Sequence, residues 1–426
     1  MNPASGESGS AGAAGRCLLQ DVQRLEDVEQ KHERIRQLLK VQQADAVLLQ
    51  DAASLAWFTA GVDLSRSQAE LCQVSIFVTE DARLFATNSV DAVQLFEREA
   101  FGLGFQLKQR EWHQPHAELV ADLCRSRRVL SDSGVDGTVP ASRQIQELRQ
   151  SLTSLEVERL RRLSRVLVHA VEVTAVGIRR GRTEADVAGE VGHRLLRRTV
   201  WPVRLQVAAD GRNGRYRHWG FGDDPIRGSV VISCLARRWG LHVGVTRTVS
   251  LGPPASRLQQ AHAQAVLMHA TGMYFSRSGE CLADVWARVQ RIYEKFGLTD
   301  EWRQSDQAEL LGYRLSDHQV TPRSELRLGS PQAMFWHPSV DQAMCGDTVL
   351  TGERVECLTG SSKWPGLLVQ VRGVPVTCAG ILQIPSSGAE QEVESRFEDL
   401  VNDLDEGRSG GAEGLGSSWE VFPEGS

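Results

Sequence analysis

Short apolar runs alternate with charged, amphipathic segments through the first third of the chain. From Val22 to Lys40, leucines and valines recur among charged residues at a spacing typical of an amphipathic helix. The apolar run at 44–49 then predicts a buried strand. The same patterns predict further strands at 73–79, 82–87 and 129–132 and helices at 90–100 and 116–125. This alternation indicates a small α/β domain.

A longer helical pattern opens the second half of the chain. It runs from Leu155 to Ile178, and Gly181 ends it. Thr183 is then placed as the N-cap of another helix, because acidic residues fill the turn that follows it. A polar helix predicted at 140–152 would bridge the two halves. Strands and helices recur as far as Ile384.

Two neighbouring apolar segments predict a β-ribbon. Val230 to Ile232 should form a buried strand, and a basic turn follows at 237–240. The second strand then enters Thr246-Arg247-Thr248. Earlier in the chain, the stretch 57–61 (Trp-Phe-Thr-Ala-Gly) predicts a buried strand end with a glycine turn, and a role in a functional site is the alternative.

Composition divides the 426 residues into four segments. A chain of this length is long enough for two domains, because single cores rarely exceed roughly 250–300 residues. The ends are rich in Gly and Ser, and the C-terminal end is also acidic, which predicts disordered tails. The predicted segments are a tail at 1–16, an N-terminal domain at 17–145, a second domain at 146–384 and an acidic tail at 385–426.

The net charge and the cysteines indicate which binding partners and which cellular environment to expect. The formal net charge of −6 offers no electrostatic reason to expect nucleic acid or a membrane surface as partner. No apolar run reaches the roughly 18 residues that span a bilayer. The 8 cysteines form no CxxC pair, which predicts reduced thiols in the cytoplasm. Cys234 and Cys345 are expected to be buried structural residues instead of catalytic thiols.

Three features together resemble those of a known family. They are the ribbon, the stretch 57–61, and the two consecutive helices joined by the turn that contains Thr183. The chain is similar to the pita-bread metallopeptidases, which include aminopeptidase P, Xaa-Pro dipeptidase, creatinase and methionine aminopeptidase. The resemblance implies an α/β (α+β) fold, with a creatinase-like N-terminal α/β domain followed by a pita-bread domain. It also implies a homodimer.

The resemblance further implies where a two-metal centre would lie. The family holds its ions with two Asp, one His and two Glu. On this sequence the five places hold Ser233, Gly244, Glu309 (or Tyr313 in a shifted register), His337 and Gly346. Divalent cations need several carboxylates and imidazoles. We therefore expect no metal cofactor of the family type, although a single Zn²⁺ on His337 and Glu309 stays an alternative.

One histidine of the family's substrate pocket has a counterpart. The resemblance places it at His218, where a neutral imidazole would be a general base or a hydrogen-bond donor. Creatinase works through this histidine without metal. Arg215, Arg217 and His337 are candidate substrate-binding residues, since guanidinium groups hold carboxylates or phosphates by bidentate pairing. The alternative for the arginines is a basic loop that faces water.

Three functions follow from these residues. The first is an inactive Xaa-Pro aminopeptidase-like protein, a pseudoenzyme that binds a peptide, a small ligand or a protein partner in the old pocket. The second is a metal-independent, creatinase-type hydrolase that uses His218. The third is an active, metal-dependent Xaa-Pro aminopeptidase, which the five places argue against. Whether the protein is an enzyme therefore stays open at this point.

Overall fold

A computed structural model describes residues 21–62, 64, 66 and 73–385. Contacts divide the chain into two compact units. The first is Met1–Val157 with Trp239–Leu241, and the second is Glu158–Arg238 with His242–Ser426. The domain boundary predicted between 145 and 146 stays a prediction. Apart from Pro385, the predicted tails at 1–16 and 385–426 lie outside the described residues.

The first unit is built on a six-stranded mixed sheet. Its strands are β1 (Ala46–Leu49), β2 (Val74–Val78), β3 (Arg83–Asn88), β4 (Gln106–Arg110), β5 (Val129–Ser131) and β6 (Val139–Pro140). They lie in the order β4-β3-β2-β1-β5-β6, with β1 antiparallel to β2 and parallel to β5. Every residue of β1 and β2 is buried. A strand covered on both faces reads as a continuous apolar run, which is the pattern at 46–49.

Helices flank these strands along the chain. They are α1 (Val22–Gln42), α2 (Ala52–Phe58), α3 (Ala92–Gln94), α4 (His116–Cys124) and α5 (Ser142–Gln150), with a π-helical turn at Leu95–Glu99. α1 begins where the Asp21 side chain accepts a hydrogen bond from the Arg24 backbone N–H at 3.0 Å. The predicted strand end at Trp57 was wrong, because Trp57 and Phe58 lie in α2. Both are fully buried, and periodicity cannot separate a short buried helix from a strand.

A nine-stranded sheet organises the second unit. Its strands are β7 (Trp201–Ala209), β8 (Ser229–Arg238), β9 (Leu241–Leu251), β10 (Ala308–Leu311), β11 (His318–Gln319), β12 (Ala333–Trp336), β15 (Gly346–Leu350), β16 (Glu356–Cys357) and β19 (Ile381–Ile384). The main path runs β11-β10-β12-β15-β9-β8-β7, and β16 and β19 pair with β15 and β9. Two further strand pairs are β13 (Ser339–Val340) with β14 (Ala343–Met344) and β17 (Gly366–Val371) with β18 (Val374–Ala379). The predicted ribbon is the β8–β9 pair.

The helices described beside this sheet are α6 (Ser154–Val176), α7 (Glu184–Leu196), α8 (Ser256–Phe275) and α9 (Leu282–Lys295). Short 3₁₀ turns lie at Arg212–Gly214 and Glu301–Gln304. The predicted N-cap of α7 is confirmed, because Thr183 and Asp186 form a reciprocal capping box. Within the part of the chain that the structure describes, none of the helices combines the length and apolarity that a bilayer crossing requires.

A buried ion cluster joins β9, β15 and α6. The guanidinium of Arg247 on β9 donates to Glu172 of α6 at 2.9 Å and to Asp347 of β15 at 3.0 Å. A third contact goes to the Thr359 carbonyl at 2.6 Å. The three charged side chains are buried, with exposed fractions of 1% for Arg247, 0% for Glu172 and 3% for Asp347. A buried arginine is tolerated only when its donors are matched, and here two carboxylates and a carbonyl match them.

Replacing Arg247 with Met should therefore destabilise the second unit strongly. The substitution keeps an apolar side chain of similar length but leaves Glu172 and Asp347 as uncompensated buried charges. Breaking such a buried pair costs about 3–5 kcal/mol. Urea unfolding of the full chain, followed by circular dichroism, would measure the loss.

Arg257→Met is the matched control, because Arg257 makes a similar pair of contacts to Asp341 on the surface, at 2.5 and 2.7 Å. Exposed ion pairs are screened by water, so this variant should unfold close to the parent midpoint. Equal shifts in the two variants would contradict a dominant role for the Arg247 cluster.

Candidate functional site

The sheet of the second unit gathers most of the predicted ligand places. Ser233, Gly244 and Gly346 lie on the adjacent strands β8, β9 and β15. His337 follows the end of β12, and Glu309 lies within β10 beside it. Tyr313, the alternative to Glu309, is buried beyond the end of β10. The five sequence-predicted places therefore fall on neighbouring strands of one unit.

The phenyl ring of Phe335 fills the space in front of two of these places. A Cβ atom at Gly244 would lie 2.9 Å from three carbons of the ring. A Cβ atom at Gly346 would lie 3.0 and 3.1 Å from the same ring and 2.6 Å from the Thr246 hydroxyl. Phe335 itself is fully buried. Interiors are packed to crystal-like density, so no side chain larger than hydrogen fits at either glycine while the ring stays in place.

Hydroxyl groups complete the packing around the glycines. Thr246 Oγ1 donates to Ser233 Oγ at 2.9 Å, and both residues are buried. Thr348 Oγ1 accepts from the Gly244 N–H at 2.9 Å and donates to the Gly244 carbonyl at 2.7 Å. These contacts pair neutral hydroxyls with each other and with the backbone. They contribute no negative charge at the positions that the resemblance assigns to aspartates.

A separate cluster of titratable side chains lies at Glu309 and His337. His337 Nε2 is 3.7 Å from Glu309 Oε1 and 4.0 Å from Asp306 Oδ2. Ligand-type atoms of these three residues all lie within 4.8 Å of one another. The imidazole of His337 stacks on the Phe335 ring, with 4.8 Å between the ring centroids. Arg204 donates to Glu309 Oε1 at 2.6 Å and balances one of the two carboxylates.

Burial controls the protonation of the inner members of this cluster. Desolvation lowers the pKa of His337 to about 4, against the opposing charge of Asp306, so the imidazole is neutral near pH 7. Desolvation also raises the pKa of Glu309 above its usual range, and Arg204 opposes that rise. Repulsion from Asp306 adds to the rise. The cluster therefore offers a neutral imidazole beside two carboxyl groups.

An open pocket of about 600 Å³ borders the cluster. Its lining includes Arg204, His218, Asp306 and Glu309 as polar members, with Trp286 and Trp302 as apolar ones. A second cavity of only about 10 Å³ borders Ser233, His337 and Met344. The larger volume lies in the range of small-molecule sites, while the smaller one holds at most about one water.

The predicted catalytic histidine, His218, lies at this pocket with most of its side chain exposed. Its Nε2 is 3.4 Å from Asp306 Oδ1. Arg217 is partly buried and donates to Glu301 at 2.6 Å and to the Asp341 carbonyl at 2.8 Å. The guanidinium of Arg215 lies over the Tyr216 ring, 5.5 Å from its centroid. The structure thus brings His218 to the cluster, and substrate-binding roles for the arginines stay predictions.

The cysteines beside the ligand places are buried, as predicted. Cys234 is fully buried, and desolvation raises the pKa of its thiol to about 12. Cys345 Sγ lies 3.6 Å from His262 Nε2, yet burial raises the thiol pKa and lowers the His262 pKa to about 4. Both groups of this pair are neutral near pH 7, so the thiol is not activated as a nucleophile.

Sequence reasoning missed three residues of the site: Arg204, Asp306 and Phe335. Phe335 lies in the apolar strand that leads to His337, and its spatial relation to the glycines becomes visible only once the strands are paired. The signal available beforehand was the presence of glycine at 244 and 346, since glycine in a strand often marks a close approach. Asp306 and Arg204 belong to different elements that no local motif connects.

Comparison with solved structures identifies the fold of the chain. It superposes on a Xaa-Pro dipeptidase from Bacillus anthracis with a TM-score of 0.68 and 16% identity, covering 84% of this chain and all (100%) of that one. An X-Pro aminopeptidase from Thermotoga maritima gives a TM-score of 0.67 and 15% identity, covering 83% and 99% of the two chains. At these identities the similarity shows the fold alone. The expected pita-bread fold is confirmed.

Sequence comparison points in the same direction over a shorter span. Residues 158–330 match the family model of metallopeptidase family M24. A probable dipeptidase PepE from Mycobacterium tuberculosis is 24% identical over 191 residues, which are 44% of this chain and 51% of that protein. The match thus spans about half the length of this relative. The predicted resemblance to the pita-bread metallopeptidases is confirmed.

The contact between Phe335 and the glycines can be tested by stability measurements. Gly244→Ala should destabilise the protein by about 1–3 kcal/mol, because the added methyl group overpacks against the ring. In a Phe335→Ala background the same substitution should cost much less. A double-mutant cycle from urea unfolding would measure this coupling.

Gly189→Ala provides the control for the cycle. Gly189 lies in α7, and a Cβ atom there would have no atom of the described residues within 4 Å. Alanine is favoured over glycine within helices, so this substitution should leave stability unchanged or raise it. Additive effects of Gly244→Ala and Phe335→Ala would contradict the steric contact.

Proposed function

We propose that this chain, a member of metallopeptidase family M24 over residues 158–330, is a peptidase-like protein that binds a peptide or small ligand without two-metal chemistry. Its pocket is the binding site, and its inherited catalytic centre is inactive. The homodimer and the cytoplasmic location stay predictions from the sequence.

The observation that carries the proposal is the position of Phe335. A two-metal hydrolase holds its ions roughly 3.5–4 Å apart inside a shell of charged donors. Here a hydrocarbon ring lies against the two glycines at 244 and 346, where the resemblance places an Asp and a Glu. A phenyl ring has no donor atom for a divalent cation. The residues present therefore do not fit the dinuclear centre that the family uses.

Charge balance supports the same proposal. Of the five places, only Glu309 carries a carboxylate, and Arg204 already donates to it at 2.6 Å. Ser233 at another place has its hydroxyl bonded to Thr246. Two divalent ions bring four positive charges together, which one carboxylate cannot offset.

The pocket supports ligand binding as the retained role. Its volume of about 600 Å³ suits a dipeptide-sized molecule, and its lining joins aromatic surface to charged groups. The relatives with this fold are described as Xaa-Pro dipeptidase, X-Pro aminopeptidase and probable dipeptidase. A peptide is therefore the ligand class that the shared fold favours.

One contact favours a second candidate, a metal-independent hydrolase. His218 Nε2 lies 3.4 Å from Asp306 Oδ1 at the pocket, so a carboxylate is placed to orient the imidazole. A histidine oriented in this way is a general base in many hydrolases. His218 would then take a proton from a water molecule that attacks a small amide substrate.

An activity assay separates these functions. Purified full-length protein, supplied with Mn²⁺, Co²⁺ or Zn²⁺, should not cleave Xaa-Pro dipeptides above the rate of a blank. Replacing both Ser233 and Gly244 with Asp should not create activity, because the carboxylate at 346 is still missing and the Phe335 ring remains.

Two outcomes of the assay would contradict the proposal that the catalytic centre is inactive. Metal-dependent cleavage that Glu309→Gln abolishes would show that the centre works. Metal-independent turnover that His218→Ala abolishes, and that the exposed-histidine control His193→Ala retains, would establish the second candidate. A low rate of cleavage that is equal in all variants indicates a contaminating host peptidase. This result would be consistent with an inactive catalytic centre.

Binding of a dipeptide should depend on the aromatic wall of the pocket. Trp302→Ala is expected to weaken the binding of a dipeptide such as Ala-Pro at least about tenfold, equivalent to about 1.4 kcal/mol. Trp112→Ala serves as the control, because Trp112 is an exposed residue of the first unit. Calorimetric titration would give both constants. Equal affinities, or no binding of any dipeptide, would rule out this pocket as a peptide site.

A further inference from the structure

We propose that Asp306, Glu309 and His337 form a binding site for a single divalent transition-metal ion of the Zn²⁺ class at the wall of the pocket. This site differs from a family-type centre in its number of ions and in its donors, since Asp306 belongs to none of the five family places. The inference goes beyond the proposed function, because it requires neither peptide binding nor catalysis.

The spacing of the donor atoms is the first argument. Zinc bonds to nitrogen and oxygen are about 2.0–2.2 Å long, so tetrahedral donors lie roughly 3.3–3.6 Å apart. His337 Nε2 lies 3.7 Å from Glu309 Oε1 and 4.0 Å from Asp306 Oδ2. These distances exceed the ideal spacing by less than about 1 Å. Small side-chain movements would therefore bring the three donors to bonding distance of one ion.

The second argument is the unsatisfied nitrogen of His337. The side chain is 4% exposed, and its Nε2 has no hydrogen-bond partner among the residues that the structure describes. The nearest carboxylate oxygens lie beyond normal hydrogen-bond distance, so either tautomer leaves this nitrogen unsatisfied. A buried polar atom without a partner is rare in native proteins and calls for a ligand, water or ion. An ion between the three side chains would satisfy it.

The acidic side chains also favour a cation. Asp306 and Glu309 both offer carboxyl oxygens to the site, and Arg204 donates to Glu309 Oε1 at 2.6 Å. Arg204 need not leave when an ion binds, because each carboxylate oxygen has two lone pairs. It would then act as an outer partner that orients Glu309, a role that such residues have in many metal sites.

The fold holds the donors on or next to two paired strands, since Asp306 lies two residues before β10 and His337 directly follows β12. Glu309 of β10 is the direct partner of Phe335 of β12 in the antiparallel register. His337 follows two residues later, and its ring rests on Phe335. Sites built on strands keep their geometry better than sites on loops. The ring that excludes side chains at 244 and 346 thus also orients the imidazole of the proposed site.

The donor types select the metal class. Imidazole suits Zn²⁺, Cu²⁺ or Ni²⁺, whereas Ca²⁺ takes 6–8 oxygen ligands and Mg²⁺ requires near-octahedral oxygen coordination. One imidazole and two carboxylates are too few oxygens for Ca²⁺. We therefore expect Zn²⁺ and Co²⁺ to bind and Ca²⁺ and Mg²⁺ to bind far more weakly.

Titration of metal-free, full-length protein tests the proposal. After treatment with EDTA and desalting, the protein should bind one equivalent of Zn²⁺ in calorimetry. His337→Ala and Asp306→Asn should each weaken this binding on the order of 100-fold, since loss of even an outer-shell partner costs 10–100-fold. Asp306→Asn preserves side-chain shape, so it tests the donor without removing volume.

Matched controls separate this site from surface binding. His193→Ala and Asp300→Asn remove exposed residues of the same types and should bind Zn²⁺ like the parent. Thermal unfolding without metal identifies any variant that is misfolded. A further measurement requires no variant. Co²⁺ added to the parent protein should produce visible absorption stronger than that of the hydrated ion.

The proposal would be overturned by the absence of Zn²⁺ binding in the parent protein. It would also be overturned if both site variants, folded like the parent, kept the full affinity. The titration measures Zn²⁺ binding and not peptide cleavage. A result against the metal site is therefore distinguishable from a result against the proposed function, which the cleavage and dipeptide-binding assays test.

Discussion

A buried guanidinium holds the second unit in the register on which its site depends. Arg247 links β9 to α6 through Glu172 and to β15 through Asp347. Side chains alternate across a strand, so the residues next to these partners point to the other face. There the alternation places Gly244 of β9 and Gly346 of β15 in front of the same aromatic ring. The ion cluster on one face thus determines what can be packed on the other.

The aromatic strand β12 is accommodated by glycine on both of its faces. Phe335 lies against the glycines of β9 and β15, whereas the next residue, Trp336, lies against Gly272 of α8. A Cβ atom at Gly272 would lie 2.5 Å from the indole. Two large rings on consecutive residues need space on opposite sides of the sheet. The glycines supply that space. The result is a densely packed core at the positions where the family resemblance would place charged metal ligands.

Much of the fold was predictable from the sequence, but only part of the site. The capping box of Thr183 and Asp186 is local, so the pattern alone located the start of α7. Trp57 was misassigned, because a short apolar run fits a buried helix and a buried strand equally well. At the site, the absent carboxylates could be read from the chain. The ring of Phe335 and the approach of Asp306 depend on strand pairing between distant segments, which no local pattern contains.

The ring over the two glycines also makes positions 244, 335 and 346 depend on one another. An acidic residue at 244 or 346 collides with Phe335, while a smaller residue at 335 leaves an empty space between the glycines. A carboxylate at 244 or 346 therefore requires a second, compensating change at 335. A new side chain is accommodated more readily at the open pocket than in this packed interior.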